Sequence, residues 1–169
     1  MKKNLKPMIT LTLFIFITSG CLQLSNSINT SREARIEYLG DEEFEKVATL
    51  GLGSPIKDDF RKYTFDLKVT HSDKIVERDV SFPDNDSWKE AFNSIDSKVR
   101  YWFDEGYEQN NKEENTVRFH KEIVFYAKGI TEKEVKEALA NLEFKINLES
   151  ENGDITEYEY SPGDISPTD

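Results

Sequence analysis

Tyr63-Thr64-Phe65-Asp66-Leu67-Lys68-Val69 alternates apolar and polar side chains over its whole length. In an extended chain successive side chains point to opposite faces. The spacing therefore puts Tyr63, Phe65, Leu67 and Val69 on one buried face and Thr64, Asp66 and Lys68 on the other. The same period returns along the chain. After the turn-like His71-Ser72-Asp73-Lys74, Val76, Val80 and Phe82 read as the second strand of a hairpin. Val99, Tyr101 and Phe103 alternate likewise. Val117, Phe119, Ile123 and Phe125 form a long strand whose pattern Lys121 interrupts, as at a sheet edge or a bulge. Phe144, Ile146 and Leu148 run into Ser150-Glu151-Asn152-Gly153-Asp154, where Asn-Gly signals a turn, and Thr156, Tyr158 and Tyr160 return. Glu33–Leu39 is a further candidate strand, and Phe44–Leu50 fits helix and strand equally well.

Two short helices interrupt the strands. Ser87-Trp88-Lys89-Glu90 has the spacing of a capping box, with Ser87 as N-cap. Thr131-Glu132-Lys133-Glu134 is a second one, flanked by Ile130 and Val135 as a hydrophobic staple, and Val135, Ala138, Leu139 and Leu142 follow at helical spacing. About seven strands and two connecting helices predict a mainly β chain. The expected fold is a single antiparallel β-sandwich over residues 33–160, with an immunoglobulin-like topology among the arrangements it allows. No cysteine pair marks a true antibody-type domain.

With 169 residues, 37% of them hydrophobic and 12% aromatic, the chain has enough apolar material for one packed domain. The net charge is −11, and the first twenty residues hold three lysines (Lys2, Lys3 and Lys6) and no acid, so the remainder is more acidic still. Such a surface repels nucleic-acid phosphates and anionic lipid headgroups, which argues against nucleic-acid partners and against membrane docking by a basic patch. A single cysteine, Cys21, excludes an intrachain disulfide and a cysteine-rich zinc site.

The first twenty residues divide into a basic start (Met1–Lys6), an apolar run (Met8–Ile17) and small polar residues (Thr18-Ser19-Gly20). This is the layout of a secretory signal peptide. The run is about 10 residues long, whereas a helix needs about 20 to cross the hydrocarbon core. Thr18-Ser19-Gly20-Cys21 resembles the lipobox of bacterial lipoproteins, departing from it at Thr18, where that family most often has an aliphatic residue. The resemblance covers residues 1–21. It implies a diacylglyceryl thioether on the Cys21 sulfur, cleavage before Cys21, an N-palmitoyl group on the new amine, and residence on the extracytoplasmic face of the cell membrane. Two or more acyl chains hold a protein stably where one does not. On this reading residues 1–20 are the signal peptide, 21–32 the lipidated cysteine and a flexible tether, 33–160 the domain and 161–169 a loose acidic tail. The polar stretch Leu22–Ser31 has a reach of roughly 17 Å, which keeps the domain close to the membrane.

Motifs for familiar chemistries are missing. There is no Gly-x-Ser-x-Gly elbow, no HExxH, no phosphate-binding glycine loop and no dinucleotide fingerprint. Leu50-Gly51-Leu52-Gly53-Ser54-Pro55 reads as a turn. Asp84-Asn85-Asp86 begins like a calcium loop but continues with Trp88 and Lys89 where that loop needs an oxygen ligand and glycine. No metal site and no small-molecule cofactor are expected. His71 falls in a turn exposed to solvent; His120 falls on the outer face of its strand beside Arg118 and Glu122. The most unusual stretch is Arg100-Tyr101-Trp102-Phe103-Asp104-Glu105-Gly106-Tyr107. If Tyr101 and Phe103 face the core, Trp102 points outward with Tyr107 in the following loop, and these two rings beside carboxylates form a candidate binding patch. Aromatic anchors of this kind are enriched at interfaces. The expected function is a non-catalytic module of a membrane-anchored surface lipoprotein, with an envelope protein or polymer as partner. The alternative is an envelope hydrolase using paired carboxylates, for which no pair among the 33 acidic residues stands out.

Overall fold

The computed structural model describes residues 28–48 and 56–164. The expected signal peptide, Cys21, the first part of the expected tether, the glycine-rich stretch within 49–55 and residues 165–169 lie outside the described residues.

In chain order the elements are β1 (Asn29–Tyr38), α1 (Asp41–Ala48), β2 (Phe60–Thr70), β3 (Ile75–Ser81), α2 (Asn85–Ser94), β4 (Tyr101–Asn111), β5 (Thr116–Tyr126), α3 (Glu132–Leu139), β6 (Phe144–Ser150) and β7 (Ile155–Tyr160). The fold is mainly β. One antiparallel sheet has the order β1-β2-β5-β4 and the other β3-β6-β7. Lettered A to G along the chain, these are ABED and CFG, the strand order of a seven-stranded constant-type immunoglobulin sandwich. The likeness is one of strand order. Among the described residues the connections carry three α-helices where two were expected: the undecided segment after Leu39 is α1, whose first turn holds Asp41, Glu42 and Glu43, acids that suit a helix N-terminus.

Period-two alternation builds the core. Tyr63, Phe65, Leu67 and Val69 of β2 and Val117, Phe119, Ile123 and Phe125 of β5 face Phe144, Ile146 and Leu148 of β6. Ring centroids meet across the sheets at 4.8 Å (Phe65–Phe144) and 4.7 Å (Phe119–Phe144). Helix α2 inserts Trp88 and Phe92, and α3 adds Val135 and Leu139. Each such large side chain contributes roughly 1.5–3 kcal/mol on full burial.

Several local expectations are revised. The segments 63–69 and 76–82 are not a hairpin: β2 pairs with β1 and β5, whereas β3 crosses to the other sheet and pairs with β6. A register shift between Ile75 and Glu77 buries Ile75 and leaves Val76 62% exposed. The N-cap of α2 is Asp84, not Ser87, and it accepts from the Ser87 backbone N–H at 2.8 Å. The Thr131–Glu134 capping box is formed as expected. At the 150–154 turn only Gly153 takes positive φ (+83°), so Asn152 serves there as an ordinary turn residue. Residues 29–32, assigned to the tether, already belong to β1. Residues 161–164 are docked instead of loose: Pro162 is buried and its carbonyl accepts from the Tyr63 hydroxyl at 2.6 Å.

The entry to β4 is fixed by Arg100, whose side chain is fully buried. It donates to both Asp96 carboxylate oxygens and to the carbonyls of Tyr126 and Lys128. Asn93 Oδ1 accepts from the backbone N–H groups of Arg100 and Tyr101. These bonds join the end of α2 and the start of β4 to the end of β5.

Candidate functional site

The two sides of the sandwich differ. On the β1/β7 side the sheets are stitched together by Thr30 Oγ1 to the Tyr160 hydroxyl (3.0 Å) and Arg32 to Asp164 (2.9 Å). On the β3/β4 side, Arg78 Nε donates to Asn110 Oδ1 at 2.7 Å near one end of β4. Toward the other end, the start of α2 lies against β4 and leaves a cavity of about 530 Å³. Pro83, Asn85 and Trp88 form one wall, Asp104 to Glu108 the other, and Phe119 and Lys121 the floor. Among the described residues β4 has a hydrogen-bonded neighbour on one flank only, so its other flank is a strand edge there.

Lys121 is the residue that disrupts the sequence pattern, but it is neither at an edge nor in a bulge. It sits in unbroken register in the central strand β5, opposite Phe65 and Gly106, and points inward. Its side chain is 8% exposed. The ammonium donates to Asn85 Oδ1 at 2.6 Å and pairs with Asp104. Asp104 also accepts from the Tyr101 hydroxyl. Burial first, then the bond to Asp104 and its negative charge, push the Tyr101 pKa up, so the phenol stays a donor. A buried cation is tolerated here because its counter-ion and a carbonyl oxygen satisfy it. Gly106 brings β4 against β5 at this point: a Cβ there would lie 2.3 Å from the His120 carbonyl oxygen.

The outer face of the same sheet carries a transverse row, Glu33–Asp66–His120–Tyr107, one residue from each strand. His120 Nδ1 and Asp66 Oδ1 are 2.7 Å apart, and the Tyr107 and His120 rings lie 5.4 Å apart at 30°. Arg35 ties Glu33 (3.0 Å) and Asp66 (3.5 Å) into the same network. Beside it is a shallow depression lined by Glu33, Asp66, Lys68, Tyr107 and Arg118. His120 therefore lies outward near Arg118 and Glu122, as its register required. His71 is half-buried and not free in a turn: its Nε2 meets Arg78 at 2.9 Å.

The two rings of the expected patch are not brought together. A register shift between Tyr101 and Phe103 turns Tyr101 to the core and sends Trp102 and Phe103 to the outer face, where α1 covers them. Trp102 is half-buried against Phe60 at 5.6 Å, in the small cluster of Leu39, Val47 and Val124. Tyr107 lies within β4, not in a loop, and is 54% exposed. The Lys121–Asp104 pair escaped the sequence reading, although a lysine at an inward position was its signal.

Carboxyl groups with a displaced pKa are Asp41, Glu43, Asp84, Asp96 and Glu134, and all are displaced downward. For Asp96 the cause is its bonds to Arg100 and Lys98. Among the described residues no cluster of three or more His, Cys, Asp and Glu side chains is placed to hold a metal ion. No protein-family model, no curated protein and no solved structure matches the chain.

Proposed function

We propose that this chain is a lipid-anchored, extracytoplasmic binding module that meets its partner with the β4 margin of the four-stranded sheet. The observation that carries the reading is Tyr107. A ring more than half exposed, on a strand with an open flank, packs at a tilt against a histidine that a carboxylate holds in place. Exposed tyrosine supplies large contact area at low conformational cost. The neighbouring polar groups are tied to one another, which favours a preorganised recognition surface.

The anchor in this proposal is Cys21, on the resemblance of Thr18–Cys21 to a lipobox. The hydrolase alternative calls for one acid of a pair to hold its proton near neutrality. The downward displacement of every shifted carboxyl gives that alternative no support. Two measurements test the proposal. Radiolabelled palmitate should enter the wild-type chain and not Cys21→Ser. Cross-linking in detergent-solubilised envelope should trap a partner on wild type and lose it on Tyr107→Ala, while Trp102→Phe retains it. Equal trapping by wild type and Tyr107→Ala, or no trapping by either, overturns the assignment of the surface.

A further inference from the structure

The open flank of β4 and the cavity beside it specify more than a general contact surface. We infer that this margin binds an extended, basic polypeptide segment by strand addition, with a Lys or Arg side chain of that segment seated in the cavity against Glu108. The inference rests on the proposed binding role and names its ligand class.

The geometry supplies a backbone template. β4 runs for 11 residues and, among the described residues, pairs with β5 alone. An edge strand presents unpaired N–H and C=O groups, and an added strand satisfies them while its alternate side chains enter pockets along the sheet. The cavity is such a pocket. It opens along Asp104 to Glu108 and is large enough to admit a long side chain.

Charge selects the occupant. Within Asp104–Glu114 the chain carries five acids and one lysine, Lys112. Asp104 is committed to Lys121, and Glu105 pairs with Lys46 at 2.6 Å. Glu108, exposed at the cavity rim, makes no salt bridge among the described residues. The charge left unmatched at the cavity is thus negative. The same acidity disfavours a second copy of this chain, since two β4 edges would oppose carboxylate to carboxylate. Tyr101–Asn111 contains no lysine or proline and its register shift is confined to the Tyr101/Phe103 end, so the strand from Asp104 onward is regular while its carboxylates select a partner by sign.

The test uses the mature chain in detergent and a synthetic ten-residue peptide alternating valine with lysine. Amide hydrogen exchange should show protection confined to 104–111. Affinity should fall about tenfold or more with Glu108→Lys, with glutamate in place of the peptide's lysines, and with alternate peptide amides N-methylated. Glu157→Lys on β7 should leave it unchanged. Protection at β1 or β7, equal binding of the N-methylated peptide, dimerisation of the chain through β4, or no binding at millimolar peptide each overturns strand addition. If envelope cross-linking persists in Glu108→Lys but disappears in Tyr107→Ala, the binding role stands and the ligand class is wrong. If cross-linking is absent throughout, the role itself fails.

Discussion

Removing the acid of the buried pair should cost far more than removing the base. Lys121 is 8% exposed and its partner Asp104 22% exposed. In Asp104→Ala the ammonium keeps only the Asn85 oxygen as partner. Stranding a buried charge costs about 3–5 kcal/mol, and Asn85 with access to the cavity places this case near 3 kcal/mol. In Lys121→Met the stem volume is retained, and the Asp104 carboxylate still accepts from Tyr101 and reaches water. The loss there should be about 1 kcal/mol, since a lost charge-assisted bond is partly offset by relief of the ammonium's desolvation. The double variant removes both charges and should also lie within about 1 kcal/mol of wild type, giving a coupling energy of about 3 kcal/mol. Guanidinium unfolding followed by tryptophan fluorescence measures all four states. Equal costs for the two single variants, or simple additivity in the double, would refute the reasoning.

Other outcomes follow from the same contacts. Gly106→Ala should destabilise the domain by about 2 kcal/mol or more, because the new Cβ meets a backbone carbonyl that the sheet holds in place; thermal unfolding reads this directly. Thr131→Ala removes half of the capping box and should cost about 1 kcal/mol by the same denaturant assay. Asp96 is more acidic in the folded chain than its ordinary value of 3.8, so its bond to Arg100 stabilises the fold above that pH and fades as pH drops below it. Wild type should therefore exceed Asp96→Asn in melting temperature at pH 6, and the gap should close on acidification below pH ~3.8. A gap that widens in acid would contradict this.

Sequence legibility tracked the range of the interaction. Alternation in 63–69, 117–125 and 144–148 revealed the buried faces, because side-chain direction in a strand is a local property of the extended backbone. The Thr131 cap was equally readable, as its bonds close within three residues. The register shifts at Ile75/Glu77 and Tyr101/Phe103 were not, because an inserted residue reverses the facing of everything on one side of it, and the insertion answers to the partner strand. That is why Val76 turned out exposed and Phe103 joined Trp102 on the outer face under α1.

By itself the sequence determined that the chain is mainly β, that the alternating residues of 63–69, 117–125 and 144–148 supply core faces, and that the chain is acidic. Each of these depends on periodicity or composition, which any short window of chain already contains. Only the tertiary structure decided that β2 and β3 belong to different sheets, that Lys121 is buried against an acid seventeen residues earlier, and that Tyr107 stands on an open strand beside a cavity. Those facts come from pairings between distant segments, whose choice is made by the packing of the whole core and is written in no single stretch of residues.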